Sequence, residues 1–241
     1  LLYAFNRNKV KHISVQPSLW DSRISMPTSY PMVGKPLYGI YAYKWAGLNE
    51  NGDPQVYDAE NNVTSGPARD YHALVYCGTT VPIHNASLTN VLRYKGLEFS
   101  AMLILDAGHK LRSSNIPSIN MSNGRITSTA KGIVDRWTQP GDVTDVPRLL
   151  FSNDTENFNT HRTELYRYSD LFVYDASNIR LSNISLAYRV PAHWCKKISL
   201  SGARLQFNVE NVATFAFDSK ANYDLGGKVK PNYVWGLYLN F

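Results

Sequence analysis

Cysteines and long apolar runs are scarce in this chain. Its two cysteines, Cys77 and Cys195, lie far apart, and no apolar run is longer than the one at residues 101–105. Two distant thiols exclude a disulfide scaffold or a four-thiolate metal site, although the sequence does not decide whether they are bonded to each other. A transmembrane helix needs about 18 apolar residues, so a helical span is excluded. Strands that cross a membrane are apolar only on alternate residues and are not excluded.

Recognisable catalytic and metal-binding patterns are also missing. The sequence contains no G-x-S-x-G, H-E-x-x-H or C-x-x-C motif, and no two of its histidines have the spacing of metal ligands. The sequence therefore predicts that the protein is not an enzyme and needs no cofactor. Calcium in an external loop is kept as an alternative, although neither acidic group matches the 12-residue calcium pattern. These groups are Asn49, Asn51, Asp53 and Asp58, and the pair Asp154 and Glu156.

Charge gives no sign of a nucleic-acid partner. The net charge is +6, but the lysines and arginines are dispersed and form no dense run. Aromatic residues are plentiful, with 16 tyrosines and 5 tryptophans. That composition favours strands with aromatic ends over helices.

Alternation of apolar and polar residues is the clearest local pattern. It occurs at 97–105, 184–190, 203–210 and 233–241, and more weakly at 1–8 and 85–94. A period of two predicts strands with one apolar and one polar face. At 203–210 the polar face carries Arg204, Gln206, Asn208 and Glu210, and Arg189 continues it in the preceding strand. Alternation alone fits both a soluble β-sandwich and a membrane barrel.

The lengths of the connections favour the barrel. We expect strands at 1–9, 85–94, 97–107, 177–190, 202–217 and 229–241, joined alternately by short and long links. Outer-membrane barrels have short periplasmic turns on one side and long external loops on the other. The strand-like segment 37–45 must then lie in an external loop as a local hairpin or a lid strand. Whether it is instead a barrel strand stays open at this stage.

The end of the chain carries a second signal. Gly236, Leu239 and Phe241 form the Gly, apolar and terminal aromatic pattern that barrel-insertion machinery recognises, although Val234 stands where a polar residue is usual. An edge strand with such a face can add to a sheet by main-chain hydrogen bonds. The opening residues have no initiating Met and read like the middle of a strand, so we expect a piece of a longer chain.

Short motifs spread over the chain resemble those of the SusC/RagA family of TonB-linked outer-membrane proteins. One stretch departs from the family pattern at 85–87 (NAS), where many members carry Gly before the Ser. The matching stretches, in family order, are 6–10 (NRNKV), 34–36 (GKP), 43–48 (YKWAGL), 51–54 (NGDP), 78–82 (GTTVP), 94–97 (YKGL), 137–142 (WTQPGD), 176–181 (ASNIRL), 210–215 (ENVATF) and 226–231 (GGKVKP).

The resemblance implies an all-β fold, with residues 1–241 forming roughly the last six strands of an antiparallel transmembrane barrel of about 22 strands with long extracellular loops. The family's plug domain and TonB box are absent from this sequence. The resemblance also implies location in the bacterial outer membrane, contact with lipid and insertion by the barrel-assembly machinery. A SusD-like surface lipoprotein, the TonB complex and an oligosaccharide or peptide substrate are the further expected partners.

Aromatic residues in the long connections are candidates for contact with a substrate or with the lipoprotein lid, because flat rings stack on sugar faces. These candidates are Trp45, Tyr57, Trp137, Tyr166 and Tyr168. The candidates for lining the lumen are Arg189, Arg204, Gln206, Asn208 and Glu210. For every candidate, packing without a functional contact is the competing interpretation. The alternative proteins are a secreted β-sandwich that binds carbohydrate and an outer-membrane barrel enzyme.

Overall fold

A computed structural model describes residues 1–14, 22–66, 70–122, 125–126, 131–151, 160–226 and 230–241. Asp154, Glu156 and the predicted strand start at Val229 lie outside the described residues. The chain divides into two units. The sheet unit contains Leu1–Asn6, Pro82–His109 and Asp175–Phe241, and the loop unit contains Arg7–Val81 and Lys110–Tyr174.

The sheet unit is built on one antiparallel six-stranded sheet. Strands of this sheet that follow one another along the chain lie side by side in it. All six predicted strands are present in the described residues. The first strand is shorter than predicted and ends at Phe5, because its partner begins at His84 and offers no ladder position to residues 7–9. The strands are, in order, Leu2–Phe5, His84–Tyr94, Leu97–Ala107, Asn178–Arg189, Gly202–Ala216 and Asn232–Asn240.

Short links join the strands at one end of this sheet. Lys95 and Gly96 connect the second and third strands with φ of +46° and +85°. Two positive φ angles in a two-residue loop form the hairpin turn whose twist matches that of the flanking strands, and Gly adopts them without steric cost. The link after Arg189 holds a short helix, Ala192–Lys196. The opposite end of the sheet gives rise to the long segments, as predicted.

One face of the sheet is apolar and exposed. Leu186 lies opposite Phe99 and Phe207 in the two neighbouring strands, whereas Ser185 lies opposite Asn208. Leu186 is 41% exposed, and the apolar side chain of Trp235 is 78% exposed. A soluble sandwich would bury such a face against a second sheet. The exposed face therefore contradicts the sandwich alternative.

A β-bulge explains why the alternation in the strand Asn178–Arg189 is readable from the sequence only from Ile184 onward. The register shifts between Leu181 and Asn183, so one extra residue is inserted relative to the preceding strand. Ile179 and Leu181 before the bulge therefore share a face with Ile184 after it, although their numbers differ in parity.

The loop unit is folded, because the long connections form strands and helices of their own. The segment 37–45 contains the strand Gly39–Tyr43, which pairs with Leu74–Thr79 and is not part of the six-stranded sheet. The remaining strands of this part of the chain are Trp45–Leu48, Pro54–Tyr57, Val63–Thr64, Lys110–Arg112, Asn120–Ser122, Arg125–Ile126, Leu150–Phe151 and Val173–Asp175.

Helices are short throughout the described residues. The α-helices are Ser22–Ser25, Thr160–Arg167, Ala192–Lys196 and Asn222–Leu225, and the 3-10 helices are Tyr71–Ala73, Lys131–Asp135, Asp170–Phe172 and Ser219–Ala221. In the part of the chain that the structure describes, no helix combines the length and apolar character required to cross a membrane.

The loop unit has its own core. Tyr41 and Tyr43 are buried with Val56, Leu74 and Leu165, and a second buried cluster contains Ile119, Tyr166 and Phe172.

Both cysteines are free thiols, so Cys77 and Cys195 are not bonded to each other, which the sequence had left open. Burial raises the pKa of the Cys77 thiol to about 11, so this thiol is protonated and unreactive near neutral pH.

Candidate functional site

A cavity of about 400 Å³ lies beside the helix Thr160–Arg167 in the loop unit. Two of the predicted aromatic residues, Tyr166 and Tyr168, contribute to its wall. Apolar side chains and hydroxyl groups line it together with two arginines. They include Ile116, Ile119, Ser118, Thr163, Arg112 and Arg167.

Two guanidinium groups approach the ring of Tyr168. The Cζ atoms of Arg112 and Arg167 lie 5.5 and 5.8 Å from its centroid. Tyr168 is only partly buried and Arg167 is exposed. Cation–π attraction at this range stabilises both arginines in place at the cavity wall.

Arg112 is held rigidly by backbone carbonyls. Its Nη1 donates to the carbonyls of Arg167 and Ser169 at 3.3 and 3.2 Å, and its Nη2 donates to the carbonyl of Tyr41 at 2.7 Å. The bond to Arg167 satisfies one of the carbonyls that the end of the helix leaves without a partner. Burial lowers the pKa of Arg112, yet the guanidinium remains charged.

Tyr166 belongs to the core, which limits its predicted role. Its side chain is only 2% exposed, and its ring meets Phe172 edge-on at 4.9 Å. Burial raises the pKa of its hydroxyl above the ordinary value. A ring packed in this way cannot present a free face for stacking on a sugar, so Tyr166 contributes to the cavity wall without an exposed ring face.

Trp137 lies in a separate groove of about 420 Å³, which Asn49 and Glu50 also line. Gly52 approaches the indole ring so closely that a side-chain carbon there would overlap it. The ring is therefore packed on one side and partly exposed, and its contact with a ligand or lid stays a prediction.

The other two predicted aromatic residues make polar or cationic contacts. The Nε1 of Trp45 donates to the Oδ1 of Asp145 at 3.0 Å, and its ring lies 5.8 Å from that of Tyr166. Lys44 lies 4.6 Å from the ring of Tyr57. The structure thus brings Tyr166 and Tyr168 together in one cavity and leaves Tyr57 and Trp137 outside it.

The predicted lumen-facing residues share the polar face of the sheet. Gln206 donates to the Oδ1 of Asn208 at 3.0 Å. Arg189 lies directly opposite Arg204, and Arg204 reaches Glu98 at 3.5 Å. Glu210 continues this face next to the bulge. A common polar face is confirmed, whereas lining of a passage stays a prediction.

The C-terminal signal residues lie on an edge strand. Leu239, in the last strand of the sheet, and Phe241, one residue beyond its end, are 42% and 91% exposed. Gly236 is covered by the ring of Tyr238, which lies 3.0 Å from the position of a side-chain carbon. An aromatic ring over a strand glycine replaces the packing that the missing side chain would have supplied.

Asp53, one of the acidic residues named for the calcium alternative, is bonded by arginines. Both oxygens of Asp53 accept hydrogen bonds from Arg148 at 3.1 and 2.8 Å, and Arg162 donates to one of them at 3.1 Å. The side-chain oxygen of Asn49 accepts from two backbone N–H groups of its own turn. Among the described residues, no three His, Cys, Asp or Glu side chains are grouped for a metal ion.

Sequence reasoning did not identify Arg112, Arg148 or Arg162. Arg162 is 2% exposed and bonds Asp53 and the carbonyls of Ile119 and Arg148. Arginines are usually exposed, so nothing local marks one that is buried. Only the pairing with Asp53, which is distant in the chain, shows that Arg162 is buried.

No family model matches the chain. Two curated relatives come from Formosa agariphila. TonB-dependent receptor P3 is 24% identical over 258 aligned positions, which cover 98% of this chain and 24% of the relative. TonB-dependent receptor P26 is 28% identical over 130 positions, which cover 54% of this chain and 12% of the relative.

Solved structures share the fold. A structure of the RagAB peptide transporter aligns with a TM-score of 0.62 at 21% identity over 87% of this chain and 23% of that chain. An open-open RagAB peptide importer aligns with a TM-score of 0.65 at 18% identity over 99% of this chain and 26% of that chain. The chain thus spans about a quarter of TonB-dependent receptor P3 and of these neighbours. The resemblance and fold class predicted from the motifs are confirmed.

Proposed function

We propose that this relative of the TonB-dependent receptors forms the C-terminal part of the wall, and the external loops, of a SusC-type importer in the bacterial outer membrane. The observation that carries the proposal is the one-sided sheet. It has an exposed apolar face, short links at one end and long folded segments at the other. Lipid supplies the apolar solvent that such a face requires.

Aromatic side chains at both ends of the sheet support a location in a membrane. Tyr94 and Phe241, at the end with short links, are 69% and 91% exposed. Phe215 and Tyr233, towards the other end, are 59% and 62% exposed. Outer-membrane barrels carry such aromatic girdles where the lipid headgroups begin.

The transported substrate is proposed to be an oligosaccharide or a peptide captured together with a SusD-like surface lipoprotein. Support comes from the solved neighbours, which are described as peptide transporters or importers. TonB would supply the energy for transport, in keeping with the names of the relatives. The barrel-assembly machinery would insert the protein into the membrane, in keeping with the exposed terminal strand. The relatives are receptors and transporters, which agrees with a protein that is not an enzyme.

Cysteine labelling in intact cells tests the topology of the full-length protein. In a background with Cys77→Ser and Cys195→Ser, Glu60→Cys places a thiol in the loop unit and Lys197→Cys places one in a short link. Both positions are exposed. We expect a membrane-impermeant maleimide to label Glu60→Cys in intact cells and Lys197→Cys only after the outer membrane is permeabilised.

Equal labelling of both positions in intact cells would contradict the proposal. Recovery of the protein in a soluble fraction without detergent would also contradict it. The same preparations show whether the protein reaches the outer membrane, which keeps a failure of localisation distinct from a failure of labelling.

A further inference from the structure

We propose that the cavity beside the helix Thr160–Arg167 binds a small carboxylate with an apolar body. The inference rests on the proposed import function and names the chemistry of the ligand that this site would take. A peptide C-terminus and an acidic sugar both carry such a group, and the test below distinguishes these two sources.

The charge of the cavity favours an anion. Arg112 and Arg167 contribute two positive charges to its lining, and no lining residue is acidic. Arg112 donates three of its N–H groups to carbonyls, so its charge is fixed in position. Arg167 is exposed at the end of the helix and stays close to the ring of Tyr168. A planar guanidinium matches the geometry of a carboxylate and can bind it with two hydrogen bonds.

The remaining lining suits an apolar body of limited size. Ile116 and Ile119 lie in the wall, together with Tyr166 and Tyr168. The volume of about 400 Å³ is near the small end of the range of ligand pockets, about 300–1,000 Å³. The cavity therefore has room for one residue or one ring together with its charged group.

Hydroxyl groups complete the lining without competing for the anion. The Oγ1 of Thr163 accepts a hydrogen bond from the Nδ2 of Asn120 at 2.8 Å, which orients its own proton away from that bond. A hydroxyl oriented in this way can donate to a ligand oxygen. Cationic and hydroxyl donors thus share one cavity wall with apolar side chains.

Binding to the full-length receptor in detergent tests the inference with matched probes. N-acetylphenylalanine and its amide have the same body and differ in charge, and glucuronate and glucose form a second pair. We expect at least one acid to bind about tenfold more tightly than its neutral partner by calorimetry, which is the size expected for one charge-assisted contact. The pair that shows the preference identifies the source of the carboxylate.

Variants of Arg167 locate the effect. Arg167→Gln should reduce the affinity for the acid to that for the neutral probe and leave neutral binding unchanged. Arg167→Lys should retain part of the preference. Arg7→Gln removes an exposed arginine of the same unit outside the cavity and should change nothing.

Three results would overturn the inference. They are equal binding of an acid and its neutral partner, no binding of either acid at millimolar concentration, and an unchanged preference in Arg167→Gln. The outer-membrane location and maleimide labelling of the same variants are independent of this cavity. If those persist while the charge preference is absent, the carboxylate site fails and the importer stands.

Discussion

The two units place their large apolar side chains in opposite environments. In the sheet unit Trp235 is 78% exposed and Leu205 51%, whereas in the loop unit Tyr41 and Tyr43 are 1% and 0% exposed. Burial of apolar area is the main favourable contribution to folding in water. In the loop unit these side chains are buried away from water, as that rule requires of a core in water. The sheet unit obeys it only if its apolar face meets an apolar environment, which the proposed outer-membrane location would supply.

Charged groups differ between the units in the same way. In the loop unit the side chain of Arg162 is 2% exposed and is paired with Asp53. In the sheet unit the ion pair between Arg93 and Glu98 is shorter, at 2.6 Å, but 73% of the Arg93 side chain is exposed. Solvent screens the exposed pair, so the shorter distance does not mean a larger contribution to stability.

The largest expected effect separates these two ion pairs. Arg162→Met should destabilise the loop unit by about 3–5 kcal/mol, because it removes the hydrogen bonds that one buried guanidinium donates to Asp53, to Asn120 and to the carbonyls of Ile119 and Arg148. Limited proteolysis of the detergent-solubilised receptor during thermal unfolding measures this loss.

Arg93→Met is the matched control for the exposed pair. Its expected cost is below about 1 kcal/mol. Comparable losses in the two variants would show that burial does not distinguish the two ion pairs, and the contrast between the units would then be wrong.

The next effect tests which solvent meets each face of the sheet. Ile184 lies on the apolar face near the middle of its strand, and Ser185 lies next to it on the polar face. Ile184→Arg should cost about 2–4 kcal/mol, as expected for a charge at the bilayer midplane, and Ser185→Arg should cost little. The readouts are the amount of folded protein in the outer membrane and its heat-dependent electrophoretic migration.

A greater loss from Ser185→Arg than from Ile184→Arg would reverse the assignment of the faces. The pair is well matched because both positions lie in one strand and both variants introduce the same side chain.

The smallest expected difference between two matched variants concerns the packing of Trp137. Gly47 and Gly52 both have positive φ, at +95° and +75°, but a side-chain carbon at Gly47 meets open space. Gly47→Ala should therefore cost only the backbone strain of about 1–2 kcal/mol. Gly52→Ala should cost roughly twice as much, because it also displaces the indole ring. Thermal unfolding and the near-ultraviolet circular dichroism of Trp137 measure the difference.

If both glycine variants lose the same stability, Trp137 does not pack on Gly52. The double variant Gly52→Ala, Trp137→Ala gives an internal check, because it has no indole ring to displace. In the Trp137→Ala background, Gly52→Ala should therefore cost only the backbone strain.

The sheet was the predictable part of the fold. Period-two alternation at 203–210 depends only on neighbouring residues, so a strand with two unlike faces follows directly from it. The predicted bounds 85–94 and 97–107 agree with the observed His84–Tyr94 and Leu97–Ala107 within one residue. The two-residue turn at Lys95 and Gly96 fixes this register locally.

The cavity was only partly predictable. Tyr166 and Tyr168 were named for their chemistry, but the sequence did not show that Tyr166 is buried or that both contribute to one cavity. Arg112 is 55 residues from Arg167, whose carbonyl it bonds. A contact over that separation depends on the folded arrangement of the chain and leaves no local pattern.

By itself the sequence determined the strands, their polar and apolar faces and the alternation of short and long links, because each depends on residues close together in the chain. The tertiary structure alone decided that the long segments fold around a core, that Gly39–Tyr43 pairs outside the six-stranded sheet, and that two arginines meet at Tyr168. Those features depend on contacts between residues that are distant in the chain. Such contacts form, and contribute to stability, only when the chain folds.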